Sequence, residues 1–328
     1  MTTATTLVIL ADIGGTNTRV ALADGTALRV DTVRRFSNAE YHARGQDIAH
    51  VLADYLAQTG ASVSGVCVAA AGPVQDGVAT MTNLDWVIDG PKLRAATGAQ
   101  RVAILNDLQA QGQALEHIPP ANLRRVIDGP VKPGASMLVV GLGTGVNAAP
   151  AHPTTRGRLV PPSECGHVTM AIRTDEDFRL ARFVEAKLKA AGEVPHAGVE
   201  EVLAGRGLAN LHAFAAHERG QPAGLNSADV LQALAAGDPT ATEAARLYVH
   251  VLGQTLADLA LIHLPYGGIF LIGGMSRAMA PHFQRFNLEA AFREPRRVDL
   301  LEKDFSVSVV EDDYAALTGC AVYLNGSV

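Results

Sequence analysis

Short apolar runs alternate with amphipathic segments along most of the chain. The apolar runs have the length of buried strands and lie at 7–11, 63–71, 101–105, 137–140, 268–272 and 307–310. Between them, segments such as 47–58 have apolar residues spaced for one helix face, and the pattern is mostly helical from 175 to 264. Strands that alternate with helices predict a mixed α/β fold.

Three glycine-rich turns each follow one of these runs. The first, Asp12-Ile-Gly-Gly-Thr16, leads into a strand-like segment at 18–23 that ends at Asp24-Gly25, a hairpin signal. The second, Gly141-Leu-Gly-Thr-Gly145, also leads into a strand-like segment, and the third is Gly273-Gly274. The repeated order of strand, turn and strand indicates an internal duplication of one α/β unit.

Such turns suit the binding of phosphate. Glycine lets the backbone approach a phosphate closely, so several N–H groups can converge on one anion. Thr16 and Thr144 add hydroxyl donors. The carboxylate of Asp12 would repel a phosphate directly, so its position indicates that Mg²⁺ lies between them, through water. A single glycine pair would be read as a tight turn, whereas three such turns favour a nucleotide-phosphate site.

Two common nucleotide-binding folds do not fit this pattern. The dinucleotide fold needs G-x-G-x-x-G before a helix, but the turn at 141–145 has the spacing G-x-G-x-G and precedes a strand-like segment. The GxxxxGK[ST] loop of P-loop enzymes does not occur in the sequence.

Composition narrows the class of protein. The 328 residues suit two domains or one bilobal unit, and the Pro/Gly-rich stretch at 118–134 is a candidate connection. With 33 acidic and 27 basic residues, the formal charge of -6 argues against a general nucleic-acid binder. The three cysteines form no CxxC pair, no leader pattern is seen, and the apolar stretch at 247–264 is interrupted by polar residues, which predicts a buried helix. We therefore expect a cytoplasmic protein without nucleic-acid or membrane partners.

Seven motifs, taken in order, resemble those of the bacterial glucokinases within the actin/hexokinase-type ATPase superfamily. They are Leu10-Ala-Asp-Ile-Gly-Gly-Thr-Asn-Thr-Arg19, Met81-Thr-Asn-Leu-Asp-Trp86, Asn106-Asp107, Gly141-Leu-Gly-Thr-Gly145, Glu164-Cys-Gly-His-Val168, Glu200-Glu-Val-Leu-Ala-Gly205 and Gly267-Gly-Ile-Phe-Leu-Ile-Gly-Gly274. Each motif alone is common, but their co-occurrence from the first strand to the last glycine turn is specific.

The resemblance implies two ribonuclease H-like α/β domains of the actin/hexokinase type flanking a cleft, a small one at 1–117 plus 312–328 and a large one at 118–311. It implies transfer of the γ-phosphate of ATP, with Mg²⁺, to the 6-hydroxyl of glucose, and a homodimer. The nucleotide would be held by Asp12, Gly14, Gly15, Thr16, Asn17, Gly143, Thr144, Gly145, Gly273 and Gly274. The sugar would be held by Asn83, Asn106, Asp107, Glu164, His167 and Glu200. No side chain is implied as a dedicated metal ligand.

Asp107 is the candidate general base, because it follows the end of a predicted strand, where α/β sheets place ligand-binding residues. Its alternative role is the N-cap of the next helix. Glu164 and His167 lie three residues apart and would point the same way on a turn, but they also fit a capped surface turn. Glu200 would bind sugar hydroxyls or be one of two solvated acids at a helix start.

Two departures from the family pattern bear on this hypothesis. Family members often have glycine where this chain has Cys165, and a second glycine pair where it has Val146-Asn147. The first concerns the shape of the sugar pocket and the second the affinity for nucleotide. A kinase for another hexose, such as mannose or an N-acetylhexosamine, and a sugar-sensing regulator on the same fold remain the alternatives.

Overall fold

The computed structural model describes residues 7–81, 84–155 and 157–326. The described residues form two compact units, the first within 7–119, 151–162 and 312–326 and the second within 120–150 and 163–311. Each unit combines strands with helices, which confirms the predicted α/β class.

Strands and helices are numbered in chain order. The strands are β1 Leu7–Ile13, β2 Asn17–Asp24, β3 Ala27–Ser37, β4 Gly65–Ala70, β5 Val74–Gln75, β6 Val78–Thr80, β7 Val87–Asp89, β8 Arg101–Asn106, β9 Leu123–Ile127, β10 Met137–Leu142, β11 Val146–Thr154, β12 Gly157–Leu159, β13 Ile269–Ile272 and β14 Val307–Val310. The helices are α1 Asn38–Ala43, α2 Ile48–Thr59, α3 Gly90–Thr97, α4 Asp107–Ala114, α5 Asp175–Ala190, α6 Glu200–Leu203, α7 Gly205–Glu218, α8 Ser227–Ala235, α9 Pro239–His263, α10 Gly274–Phe283, α11 Leu288–Phe292, α12 Leu300–Lys303 and α13 Ala315–Gly326. Short 3₁₀ turns lie at Leu115–His117, Pro120–Asn122 and Cys165–His167.

The main sheet of the first unit has the strand order β3-β2-β1-β4-β8. Strands β1, β4 and β8 are parallel, whereas β2 and β3 form the antiparallel hairpin that Asp24-Gly25 predicted. In register, Ala69 on β4 is the partner of both Asp12 on β1 and Leu105 on β8. Strands β1 and β8 therefore end at the same edge of the sheet.

All six residues of β4 are buried because both faces of this sheet are covered. On one face Val68 belongs to a core cluster that includes Leu52 of α2. On the other face Cys67 belongs to a cluster that includes Leu317 of α13. Burial on both faces explains why the central strands read as continuous apolar runs in the sequence.

The second unit contains the strand order β11-β10-β13-β14-β9, in which β10, β13 and β14 are parallel and β9 is antiparallel to β14. Gly141 pairs with Ile272, so the second and third glycine turns leave the sheet at the same edge. The apolar stretch at 247–264 lies mainly in α9, a helix of the core, as its pattern predicted. Within the described residues, no helix is long and apolar enough to cross a membrane.

Two segments differ from their predicted roles. The stretch at 118–134, predicted as a connection, contains the edge strand β9. The segment at 151–162, which we placed in the large domain at 118–311, groups with the first unit. Gln109 Nε2 donates to the Val160 carbonyl at 2.9 Å and Gln113 Nε2 donates to the Arg158 carbonyl at 2.8 Å, so α4 holds this segment.

Helix α13 crosses α4 at a point where only glycine fits. A Cβ on Gly319 would lie 1.6 Å from the carbonyl oxygen of Ala110. We expect Gly319→Ala to lower the free energy of unfolding by about 3 kcal/mol, because the two helices would have to separate. Urea denaturation measures this change. Gly90→Ala is the matched control, since its Cβ would meet Val102 at an ordinary 3.8 Å, and equal midpoints for the two variants would contradict the expectation.

Candidate functional site

The first glycine turn, between β1 and β2, presents unpaired backbone donors. The N–H of Gly14 donates to the carbonyl of Asn17 at 3.0 Å, which closes the turn. The N–H groups of Gly15 and Thr16 have no hydrogen-bond partner among the residues that the structure describes. Two adjacent free N–H groups at the end of a strand form a site for an anion.

Asn38, the buried first residue of α1, holds this turn from behind. Its side-chain Nδ2 donates to the Gly14 carbonyl at 2.8 Å, and its backbone N–H donates to the Thr16 carbonyl at 3.0 Å. Its Oδ1 accepts a hydrogen bond from the Thr18 hydroxyl at 2.7 Å. The sequence analysis missed Asn38, because an asparagine 24 residues after the glycine it supports forms no local motif.

A pocket of about 230 Å³ lies at this turn. It is lined by Asp12, Gly14, Gly15, Thr16, Asn17, Arg19 and Arg35. Arg19 and Arg35 are register partners on β2 and β3, and Arg19 Nη1 lies 3.6 Å from Asp12 Oδ2. Burial raises the pKa of Asp12, whereas the Arg19 guanidinium lowers it. Free N–H groups, guanidinium groups and a carboxylate together suit a phosphate that carries a divalent cation.

Asn106 is the N-cap of α4, so the alternative that Asp107 caps this helix is wrong. Asn106 Oδ1 accepts from the Leu108 N–H at 2.9 Å, and Gln109 Oε1 accepts from the Asn106 N–H at 3.1 Å. Asn106 Nδ2 donates to the Gly72 carbonyl at 2.9 Å. The capping box also directs the Gln109 N–H to this oxygen. The predicted sugar residue Asn106 is therefore held rigidly, with one amide hydrogen left for a ligand.

Asp107 is the first residue of α4 and is half-buried. Its Oδ1 accepts from the Leu108 N–H at 2.8 Å, and its Oδ2 has no hydrogen-bond partner in the described part of the chain. Burial raises the pKa of Asp107 to about 6, the Leu108 N–H opposes this, and the charge of Asp12 adds to it. Such a carboxyl group is mostly ionised at neutral pH yet basic enough to accept a proton.

The second glycine turn, between β10 and β11, has the same open form. The N–H of Gly143 donates to the Gly145 carbonyl at 2.9 Å, and the N–H of Gly205 donates to the Gly143 carbonyl at 2.9 Å. Thr144 and Gly145 have N–H groups without a partner in the described residues. The turn therefore offers a second pair of donors.

The third glycine turn packs directly against the second. Gly273 has a φ of 105°, and a Cβ there would lie 2.3 Å from the Leu142 carbonyl. Glycine is needed at this position for both reasons. Gly274 begins α10 and has open space at its Cα. The predicted nucleotide residues of the second unit therefore gather at one edge of its sheet.

Glu200 supports the second turn, and the alternative of a solvated acid is wrong, because its side chain is only 15% exposed. Its Oε2 accepts from the Val146 N–H at 2.8 Å, and its Oε1 lies 2.5 Å from Arg206 Nη2. Arg206 also pairs with Glu201 at 2.7 Å. Both oxygens of this predicted sugar residue already have a partner, and Arg206 is a supporting residue that the sequence analysis missed.

Glu164 precedes the 3₁₀ turn Cys165–His167 and His167 ends it, with Glu164 Oε2 and His167 Nε2 3.9 Å apart. Both side chains are mostly exposed, at 75% and 68%. Gly166 between them packs so closely that a Cβ would lie 2.1 Å from the Val146 carbonyl. The predicted sugar residues Glu164 and His167 thus lie beside the strand that follows the second glycine turn.

Asn83 lies outside the described residues. In the ranges that the structure describes, no group of three or more His, Cys, Asp or Glu side chains is arranged to hold a metal ion. Asp12 lines the first pocket and supplies the oxygen ligands that Mg²⁺ prefers, so it fits a cation that arrives with the nucleotide.

Comparison with known proteins identifies relatives over almost the whole chain. A family model described as glucokinase matches residues 9–327. A glucokinase of Mesorhizobium japonicum is 30% identical over 96% of this chain and 91% of its own length, and one of Marinobacter nauticus is 32% identical over 97% of each. The crystal structure of a glucokinase from an Antarctic psychrotroph superposes with a TM-score of 0.87 at 25% identity, covering 97% of this chain and 98% of that one. The fold is that of the actin-like ATPase sugar kinases.

The raised pKa of Asp107 gives a direct test of the geometry of the first unit. We expect Asp12→Asn to lower the pKa of Asp107, because it removes a neighbouring negative charge. NMR titration of the Asp107 carboxyl carbon measures this pKa. Asp24→Asn, at the other end of the same hairpin, is the control and should leave it unchanged. An equal pKa in all three proteins would contradict the proximity of Asp12 and Asp107.

Proposed function

The chain belongs to the glucokinase family and is a glucose-phosphorylating kinase, and on this premise we propose that Asp107 is the general base of phosphoryl transfer from ATP to the 6-hydroxyl of glucose. The observation that carries this proposal is the environment of Asp107. The carboxyl group lies at the carboxyl ends of the parallel strands β1, β4 and β8, has one unengaged oxygen, and has a pKa of about 6.

In the proposed reaction the glucose 6-hydroxyl oxygen attacks the γ-phosphorus of ATP. Its proton passes to Asp107, the bond between the γ-phosphorus and the bridging oxygen breaks, and ADP leaves. Most of the catalysis in phosphoryl transfer comes from positioning and charge stabilisation. The carboxylate therefore needs only to lie within reach of the 6-hydroxyl and to be moderately basic. Burial at the end of β8 supplies both conditions.

We assign the phosphates of ATP to the open turns. The first turn offers the N–H groups of Gly15 and Thr16, and the second offers those of Thr144 and Gly145. Mg²⁺ neutralises phosphate charge when bound with the nucleotide, and Asp12 would hold it through water. The N-terminus of α10 at Gly274 adds a favourable dipole for an anion.

The sugar is assigned to residues with unused hydrogen-bonding capacity. Asn106 retains one amide hydrogen, and Glu164 and His167 are exposed side chains that point the same way. Glu200 has a place in this set through the lone pairs that Val146 and Arg206 leave open. Asn83 stays a prediction. We also infer a cytoplasmic homodimer, on the resemblance to the family alone.

A coupled assay of ADP release tests the choice of sugar. We expect glucose to be the preferred substrate among glucose, mannose, N-acetylglucosamine and N-acetylmannosamine, because a site that bonds each hydroxyl rejects analogues that leave polar groups unpaired. A preference for one of the amino sugars would replace glucose in this proposal. ADP release without sugar would contradict the kinase assignment.

Removal of the general base should abolish turnover without abolishing sugar binding. For Asp107→Asn we expect kcat to fall by about 10²–10⁴-fold, the usual contribution of a general base, with little change in the Kd for glucose. Steady-state kinetics and calorimetric titration with glucose measure the two effects. Asp54→Asn, which alters a carboxyl group bonded to Tyr41 elsewhere in the unit, is the control. Wild-type turnover in Asp107→Asn would overturn the role of this residue.

The pH dependence of kcat/KM should follow the titration of Asp107. The carboxylate accepts a proton only when ionised, and burial raises its pKa to about 6. We therefore expect kcat/KM to be constant above about pH 7 and to fall about tenfold per pH unit well below 6. Initial rates measured across pH at subsaturating glucose check this acidic limb of the pH profile. Asp12→Asn should move it to lower pH, and a limb near the ordinary value of a free aspartate would contradict the assignment.

A further inference from the structure

The two departures from the family pattern, Asn147 and Cys165, are in direct contact. Asn147 lies on β11, one residue after Val146, which follows the second phosphate turn. Its Oδ1 accepts a hydrogen bond from the Cys165 N–H at 3.1 Å and from the Ala148 N–H at 2.8 Å. Its Nδ2 donates to the Ser163 carbonyl.

These bonds attach β11 to residues 163–167 of the same unit. Residues 163–167 hold Glu164 and His167 and have little regular structure beyond one 3₁₀ turn. Asn147 engages this segment on both sides of Glu164, through the carbonyl of Ser163 and the N–H of Cys165. A glycine at position 147 would make neither bond.

Close packing at the neighbouring position adds to the connection. A Cβ on Gly166 would lie 2.1 Å from the Val146 carbonyl and 3.2 Å from Glu200 Oε2. Glu200 in turn accepts the N–H of Val146. If the start of β11 moves, residues 163–167 must therefore move with it. Two contacts transmit the movement: the hydrogen bonds of the Asn147 side chain and the close backbone packing at Gly166.

We propose that Asn147 is a positioning residue that couples the nucleotide turn at 143–145 to the sugar-binding segment at 163–167. The proposal rests on the proposed function, in which these two stretches bind ATP and glucose. An anion on the N–H groups of Thr144 and Gly145 would fix the start of β11, and Asn147 would then fix the main chain on either side of Glu164. Because coupling between two ligands is reciprocal, glucose should tighten nucleotide binding by the same factor.

Cys165 supplies a readout that does not depend on activity. Its thiol is half-buried, and burial raises its pKa to about 11, so alkylation is slow while the segment is held in place. Cys67 and Cys320 are fully buried and serve as internal references. The rate of modification by N-ethylmaleimide, located by mass spectrometry of peptides, reports the order of the segment.

The experiment compares the wild type with Asn147→Ala and Asn147→Gly, the second being the residue that family members often carry. The non-hydrolysable ATP analogue AMPPNP with Mg²⁺ should slow alkylation of Cys165 in the wild type. In both variants we expect alkylation of Cys165 without nucleotide to be about tenfold faster, because one or two hydrogen bonds that hold the segment are lost. We also expect AMPPNP to give almost no protection of Cys165 in these variants. Thr240→Ala removes a 2.7 Å bond to Gln221 in the same unit and should behave as the wild type.

Binding measurements complete the test. Calorimetric titration with glucose, with and without AMPPNP, gives the coupling factor, which should fall to near one in both Asn147 variants, and the KM for glucose should rise about tenfold. Unchanged nucleotide protection of Cys165 and an unchanged coupling factor in both variants would overturn the role of Asn147. A wild type that does not phosphorylate glucose would instead overturn the proposed function, and the alkylation result would still decide the role of Asn147.

Discussion

The parallel register of β1, β4 and β8 is the constraint on which the first unit depends. It places Asp12 and Leu105 in one row across Ala69, so the carboxyl ends of β1 and β8 meet at one edge about two strand spacings, or about 10 Å, apart. Side chains alternate between faces with a period of two, so a slip of one residue would turn Asp12 to the other face. Burial is the main cause of the raised pKa of Asp107, and this register adds to it by placing the charge of Asp12 at the same edge.

The first and second glycine turns are supported by opposite chemistry. In the first, Asn38 donates to the carbonyls of Gly14 and Thr16, whereas in the second the carboxylate of Glu200 accepts the N–H of Val146. Both arrangements leave two N–H groups of the turn free among the described residues. Free N–H groups are costly to bury without a partner, so an anion bound as we propose would stabilise each turn.

The fold was largely predictable from the sequence because its strands are buried on both faces and its turns are rich in glycine. The strand pattern at 63–71 and 137–140 and the helix at 247–264 depend on local residue order, and the structure contains these elements. The roles of Asn38 and Arg206, and the attachment of 151–162 to α4, depend on contacts between residues distant in sequence. A single sequence carries no signal for such contacts, so Glu200 was predicted only as a ligand or a solvated acid, while the structure shows it also holds a turn.

The packing of Gly319 against Ala110 has a consequence for biosynthesis. Helix α13 covers one face of the first sheet, yet it follows α4 by about 200 residues in the chain. At about 5–20 residues per second, a ribosome would need roughly 10–40 s to add those residues. During that interval the apolar face formed by β1 and β4 has no cover from α13, so the nascent chain exposes apolar surface until α13 has been synthesised.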